Sequence, residues 1–258
     1  MTSKKSMRTM TLSSLDLIVP EWPAPANVMA IQTTRTGGVS RVPYSSFNLG
    51  AHVGDDAVRV ARNRQMLSAV LPSEPVWLRQ VHGVEVVNAA STSCEPVADA
   101  AYTRIPHTVC TVMTADCLPI LLCDRQGSVV AAAHAGWRGL CDGVIEATVR
   151  AMAITPDQLM AWLGPAIGPE SFEVGAEVRA AFIAAQPIAA LAFTPHATDK
   201  WLADLYQLAR QRLEAAGVNA IYGGGINSHF CTYREESRFF SYRRDGTTGR
   251  MASLIWIT

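Results

Sequence analysis

The stretch Ala115-Asp116-Cys117-Leu118-Pro119-Ile120-Leu121-Leu122-Cys123-Asp124-Arg125-Gln126-Gly127-Ser128-Val129-Val130-Ala131-Ala132-Ala133-His134 holds two apolar runs on either side of a four-residue turn. Runs of this length and composition read as strands. Asp first and Gly fourth suit a type I turn, so the chain is expected to reverse at residues 124–127 into an antiparallel hairpin. Pairing Asp124 with Gly127 fixes a register in which paired numbers sum to 251, which sets Cys117 opposite His134. A bulge shifts this by about one residue. Opposed Cβ atoms lie roughly 4.5–5.5 Å apart, so a thiolate and an imidazole there could share one metal ion at the ~2.3 and ~2.0 Å that zinc takes. Taken singly, a Cys in an apolar strand is ordinary core and a His at a strand end is ordinarily a hydrogen-bonded structural residue. His82, in Gln80-Val81-His82-Gly83, ends another β-rich run beside a glycine that admits close approach. One Cys and two His form a three-ligand set of the kind that leaves a coordination position open for water or substrate.

Outward from the hairpin, β-rich runs at residues 76–81, 84–88 and 108–114 predict a central sheet. Asp55 and Asp56 open an N-capped helical pattern that stops before Pro72. Residues 140–152 read as a helix, Thr155-Pro156-Asp157-Gln158 as a helical start with Pro at the first position, and 159–163 as a strand. Residues 199–216 read as a helix closed by Gly217, followed by strands at 218–222 and 251–257. Helix and strand alternate without strict βαβ repetition, and no internal repeat or linker divides the 258 residues. The expectation is one domain over residues 28–258 behind a poorly ordered extension, 1–27, that contains Pro20, Pro23 and Pro25.

Hydrophobic residues at 49% and charged residues at 17% exclude a disordered chain. Twenty-two basic residues balance twenty-two acidic ones, so no global field draws a polyanion, and no nucleic-acid partner is expected. Neither a secretion signal nor an apolar run of the ~18 residues that span a bilayer is evident. No membrane association is therefore expected, and the six cysteines, scattered without a CxxC pair, point to a reducing cytoplasm.

Seven motifs carry a resemblance. Thr34-Arg35-Thr36-Gly37-Gly38-Val39-Ser40, Phe47-Asn48-Leu49-Gly50, His52-Val53-Gly54-Asp55-Asp56, Gln80-Val81-His82-Gly83, Thr114-Ala115-Asp116-Cys117-Leu118-Pro119, His134-Ala135-Gly136-Trp137-Arg138-Gly139 and Phe239-Phe240-Ser241-Tyr242-Arg243-Arg244-Asp245 together resemble the YfiH/PgeF family, also labelled laccase-domain or polyphenol oxidase proteins. The resemblance runs from about Val28 to Thr258. It implies an α+β fold, a single-domain α/β/β/α layered sandwich with mixed sheets, and a zinc site at His82, Cys117 and His134. It further implies purine nucleoside phosphorylase activity on adenosine, inosine and methylthioadenosine, with adenosine deaminase activity. Some relatives are linked to editing of peptidoglycan precursors.

Phosphorolysis demands donors for phosphate oxygens, which Arg supplies best through its planar fork; the candidates are Arg35, Arg138 and Arg243. Deamination demands a carboxylate that moves protons beside the metal. Asp116 is that candidate, against a structural role as a cap, and Asn48 is a candidate for contacting the purine or ribose. The HxE…PCxxC signature of zinc nucleobase deaminases is absent. Three rival readings stand beside this one. Cys117 and His134 could form a cysteine hydrolase pair suited to peptide editing. Copper could replace zinc for phenol oxidation, although no His-x-His pair is present to build a copper cluster. A structural zinc would need a fourth ligand such as Cys94, Cys110 or Cys141. Gly223-Gly224-Gly225 and His229 are weak signals for ligand approach and for structure respectively.

Overall fold

The computed structural model describes residues 16–92, 94–224 and 230–258; Gly225 and His229 lie outside them. In chain order the strands are β1 (Leu17–Ile18), β2 (Val28–Thr33), β3 (Val86–Asn88), β4 (Ala100–Thr103), β5 (Cys110–Thr114), β6 (Leu118–Asp124) and β7 (Val130–Ala135). These are followed by β8 (Leu159–Leu163), β9 (Glu173–Gly175), β10 (Phe193–Ala197), β11 (Lys200–Ala203), β12 (Ala220–Gly223) and β13 (Met251–Ile257). The helices are α1 (Ala57–Ser68), α2 (Trp137–Asp142), α3 (Val144–Met152), α4 (Ala176–Ala185), α5 (Leu205–Ala215) and α6 (Tyr242–Asp245).

Alternation along the strands builds the layers. In β6, Ile120 and Leu122 point into one apolar cluster with Ile145, Val149, Leu208 and Leu213 of α3 and α5, while Leu121 and Cys123 point into another. That second cluster is the seam between two sheets, because it also takes Val28 and Ala30 of β2, Val112 of β5 and Ile255 and Ile257 of β13. The opposite face of β13, with Leu254 and Trp256, packs on Met66 and Leu67 of α1. The order is therefore helix, four-stranded sheet, six-stranded sheet, helices: the α/β/β/α sandwich the resemblance implied. A strand buried on both faces reads as a continuous apolar run, and all seven residues of β6 are buried. The four-stranded sheet runs β1-β2-β13-β5, and the six-stranded one runs β12-β8-β6-β7-β4-β3 with parallel pairs at both ends. Among the described residues no helix is long and apolar enough to cross a membrane.

The hairpin forms, with a different register. Asp124 accepts hydrogen bonds on its carboxylate from the backbone N–H of Ser128 (2.6 Å) and Val129 (3.0 Å) and from the Ser128 hydroxyl (2.8 Å). Gly127 enters the left-handed region at φ +67°. The loop thereby lengthens to residues 125–128, and Cys123 pairs with Val130, so His134 faces Pro119 instead of Cys117. The slip is two residues, and side chains alternate with a period of two, so Cys117 and His134 keep the same side of the sheet.

Other boundaries shift for local reasons. The helix expected at 140–152 is two, α2 and α3, separated by Gly143 at φ +104°. The helix expected from 199 starts only at Leu205, capped by Asp204, because residues 200–203 pair with β9 and β10. Residues 76–81 make only isolated bridges, from Val76 and Arg79. The chain joins the sheet at Leu17–Ile18, paired with Thr33 and Gln32, ahead of the boundary expected near Val28.

Candidate metal centre

Three separate segments converge. Cys117 sits on the bend between β5 and β6, His134 is buried within β7, and His82 lies in the segment that follows the Arg79 bridge. One ligand atom from each of the three lies within 4.8 Å of the others. Cys117 Sγ is 3.7 Å from His82 Nε2, and the two imidazole rings meet edge-on with centroids 4.8 Å apart.

The organiser of the cluster is Asp99, fully buried at the entrance to β4. Its Oδ1 accepts from the His82 backbone N–H (2.9 Å) and pairs with His134 Nδ1 (2.7 Å). Its Oδ2 accepts from the N–H groups of Val81 (3.1 Å) and Gly83 (2.7 Å). Burial alone would raise this carboxyl, but the His134 hydrogen bond and charge and the backbone donors outweigh it and hold the pKa below the usual range. An ionised carboxylate only accepts, so His134 carries its proton on Nδ1 and turns Nε2 to the cluster. The same carboxylate fastens the turn in which His82 adopts φ +60°.

Burial also pushes the Cys117 thiol up, yet His134 and His82 reverse that and bring it down to about 6. The paired imidazole of His134 is correspondingly raised to about 9, against its own desolvation, by Cys117 and Asp99. Gly136 closes the cluster at close range. A Cβ there would stand 2.5 Å from His82 Cδ2 and 3.0 Å from Cys117 Sγ, so only glycine leaves the space beside the donors open. Two imidazole nitrogens and a thiolate, oriented by an outer carboxylate, fit zinc or a cuprous ion.

Above the cluster opens a cleft of about 460 Å³ lined in part by His52, Gln80, Met113, Arg138, Tyr242 and Arg250. Gln80 clamps its floor to β5 by exchanging two hydrogen bonds of 2.8 Å with the backbone of Met113. Of the arginines singled out from the sequence, Arg138 lines this cleft, with its guanidinium 4.5 Å from the Trp137 ring. Arg35 lines a different surface depression with Glu235 and Glu236, and it donates to the carbonyls of Ser45 and Glu236. Arg243 reaches the carbonyl of Glu173 and lies over Phe172.

Asp116 adopts φ +91°, and its two carboxylate oxygens accept from Thr232 Oγ1 and the Arg243 backbone N–H, both at 2.7 Å, so the group ties the bend to the start of α6. Asn48 is fully buried and holds Asp55 and the Gly50 and Arg250 backbones, beneath the cleft wall. Sequence reasoning missed Asp99, a lone acid in Val97-Ala98-Asp99-Ala100, and Arg250, which stands directly before β13. The only signal for either was a charged residue at the mouth of an apolar run.

A family model described as multi-copper polyphenol oxidoreductase laccase matches residues 29–258. The purine nucleoside phosphorylase YfiH of Escherichia coli strain K12 is 58% identical over 247 residues, covering 93% of this chain and 98% of the relative. A purine nucleoside phosphorylase of Pseudomonas aeruginosa is 56% identical over 241 residues, covering 93% and 98%. Among solved structures, a Neisseria meningitidis protein superposes with a TM-score of 0.90 at 51% identity, covering 94% of this chain and 99% of its own. The Bacillus licheniformis hypothetical protein YfiH superposes at 0.82 with 31% identity, covering 90% and 93%. This chain belongs to the YfiH family, the family described as multi-copper polyphenol oxidoreductase laccase.

Proposed function

We propose that this chain is a purine nucleoside phosphorylase that works in the cleft above His82, Cys117 and His134 with zinc as its metal, and that adenosine deamination is a second activity of the same cleft. The observation that carries this reading is the convergence of the oriented His-Cys-His group on a cleft large enough for a nucleoside. The name and near-full-length identity of the E. coli relative supply the reaction class. A zinc ion held by the three residues would supply Lewis acidity at the cleft floor.

The remaining work belongs to the chain. In phosphorolysis an oxygen of hydrogenphosphate bonds to ribose C1′ while the C1′–N bond breaks, its electron pair passing to the base, which takes up the proton that the hydrogenphosphate gives up. Tyr242 and Met113 offer the apolar surface a flat base needs, with Tyr242 59% exposed at the mouth. Arg138 brings fixed positive charge to the wall. Asn48 acts by fixing the Arg250 backbone, and Asp116 by fixing the bend that presents Cys117. The six cysteines are free, in keeping with a cytoplasmic setting.

A second reading is favoured by one observation. Cys117 beside two imidazoles, with Asp99 behind His134, is also the layout of an activated cysteine nucleophile for hydrolysis of peptidoglycan precursors. Metal content decides between them. Near-stoichiometric zinc that is lost in Cys117→Ala, together with phosphate-dependent release of adenine and hypoxanthine from adenosine and inosine, supports the phosphorylase. Phosphate-independent inosine formation from adenosine supports the deaminase activity. Metal-free protein that turns over no nucleoside but hydrolyses a muramyl peptide, and loses that activity on thiol alkylation, overturns both and leaves the hydrolase.

A further inference from the structure

The cleft wall has an uncommon charge pattern. Its lining contains Arg138, Arg250 and three histidines, and no Asp or Glu. Ion pairs of the described arginines involve Arg59, Arg64, Arg212, Arg234 and Arg244, so among the described residues neither Arg138 nor Arg250 has a carboxylate within pairing distance. Arg250 spends one nitrogen, Nη1, on the carbonyls of Thr248 (3.1 Å) and Gly249 (3.0 Å), which pins the half-buried guanidinium in place. After the Cys117 thiol, the acid that acts most on it is Asp116, the first carboxylate, and both of its oxygens are committed to Thr232 and Arg243. The lining also holds His52, whose pKa is lowered by burial and then by the charges of Arg250 and Arg64. A half-buried guanidinium with no carboxylate paired to it, and held by carbonyls that orient it, is the arrangement of a preformed oxyanion receptor.

We infer that inorganic phosphate binds in this cleft with Arg250 as its principal ligand and Arg138, on the same lining, as a second, and that Arg35 and Arg243 are not phosphate ligands. The inference rests on the phosphorylase reading for the identity of the anion, and on geometry for the position. Arg35 fails as the alternative because it lines a different depression, which it shares with Glu235 and Glu236. Arg243 fails because it does not line this cleft and its Nη1 is turned to the Glu173 carbonyl.

The test is calorimetric titration of inorganic phosphate into the metal-loaded full chain, for wild type and for Arg250→Gln, Arg250→Lys, Arg138→Gln and Arg35→Gln. Removing a charge-assisted bidentate partner is expected to weaken phosphate binding by about 10- to 100-fold in Arg250→Gln. Arg250→Lys should fall in between, Arg138→Gln should weaken binding by several-fold, and Arg35→Gln should bind as wild type does. Wild-type affinity in Arg250→Gln, or loss confined to Arg35→Gln, overturns the assignment. Thermal unfolding without phosphate checks each fold. If Arg250→Gln does not fold, Arg138→Gln decides, because among the described residues its side chain makes no hydrogen bond; unchanged phosphate affinity there overturns the inference. Adenosine 5′-monophosphate that binds more tightly than phosphate and displaces it would assign the receptor to a nucleotide, and so overturn inorganic phosphate as the ligand. The two readings fail separately. Phosphate bound through Arg250 without release of any base removes the phosphorylase and leaves the subsite. Phosphate-dependent base release with an unchanged phosphate KM in Arg250→Gln removes the subsite and leaves the phosphorylase.

Discussion

Replacing Asp99 by Asn changes one atom and tests how both histidines are held. The carboxylate receives four N–H groups, two on each oxygen, from Val81, His82, Gly83 and His134. An amide cannot serve all four. With its oxygen toward His82 and His134, its NH2 confronts the Val81 and Gly83 donors. Turned over, the NH2 confronts the His82 N–H and satisfies His134 only if that ring moves its proton to Nε2, the nitrogen aimed at Cys117. Each orphaned donor costs about 1–3 kcal/mol, and the amide can settle in whichever orientation is cheaper, one donor with a displaced ring proton or two donors, so Asp99→Asn is expected to lose about 2–4 kcal/mol in the metal-free protein. At about 2–4 °C per kcal/mol for a chain of this size, the midpoint falls by roughly 5–15 °C. Loss of the outer-shell carboxylate should also weaken metal binding about 10- to 100-fold. Thermal unfolding in chelator gives the first number and competition with a chromophoric chelator gives the second. Lower stability with metal affinity within twofold of wild type would refute the claim that Asp99 sets the His134 tautomer. No change in either would refute the whole account of the cluster.

Gly136→Ala places a methyl 2.5 Å from His82 and 3.0 Å from Cys117; far-ultraviolet circular dichroism should be unchanged while bound metal falls at least tenfold, and full occupancy would show that the histidine can yield. Asp124→Asn disturbs the turn and should cost about 1–3 kcal/mol at pH 7 in urea unfolding. Because hydrogen bonds from Ser128 and Val129 overcome desolvation and depress the Asp124 pKa, the wild-type advantage is complete above the unfolded value of about 3.9 and is lost as pH falls through the lower folded value; a gap that widens on acidification contradicts this. Asp116→Asn keeps an acceptor for Arg243 and can donate to Thr232, so stability should change by less than about 1 kcal/mol. Asp116→Leu removes both bonds and should cost at least twice as much, and equal midpoints for the two variants would mean the tie is unimportant.

The sequence was most informative where a property is local. The apolar runs of β6, β7, β8 and β13 are legible because each strand is buried on both faces, and His134 and Cys117 could be put on one side of a hairpin from periodicity alone. The register was not legible, since it depends on the Asp124 side chain capturing two N–H groups beyond the tight turn. Asp99 and Arg250 escaped for a different reason. Their partners lie at residues 81–83 and 134, and at Asn48, so the contacts exist only after the sheets have formed. Arg35 and Arg243 stood out in motifs, and the carbonyls they reach in the fold, those of Ser45 and Glu173, are contacts no spacing reveals.

The placement of β13 between β2 and β5 has a kinetic consequence. Both neighbours emerge from the ribosome long before residues 251–257, and until those arrive each has an open, largely apolar edge. Such edges template pairing between chains, and pairings this distant in sequence are slow to form. Nascent chains of this protein should therefore pass through a sticky interval that ends only when β13 slots in, and demand for holding chaperones should peak there.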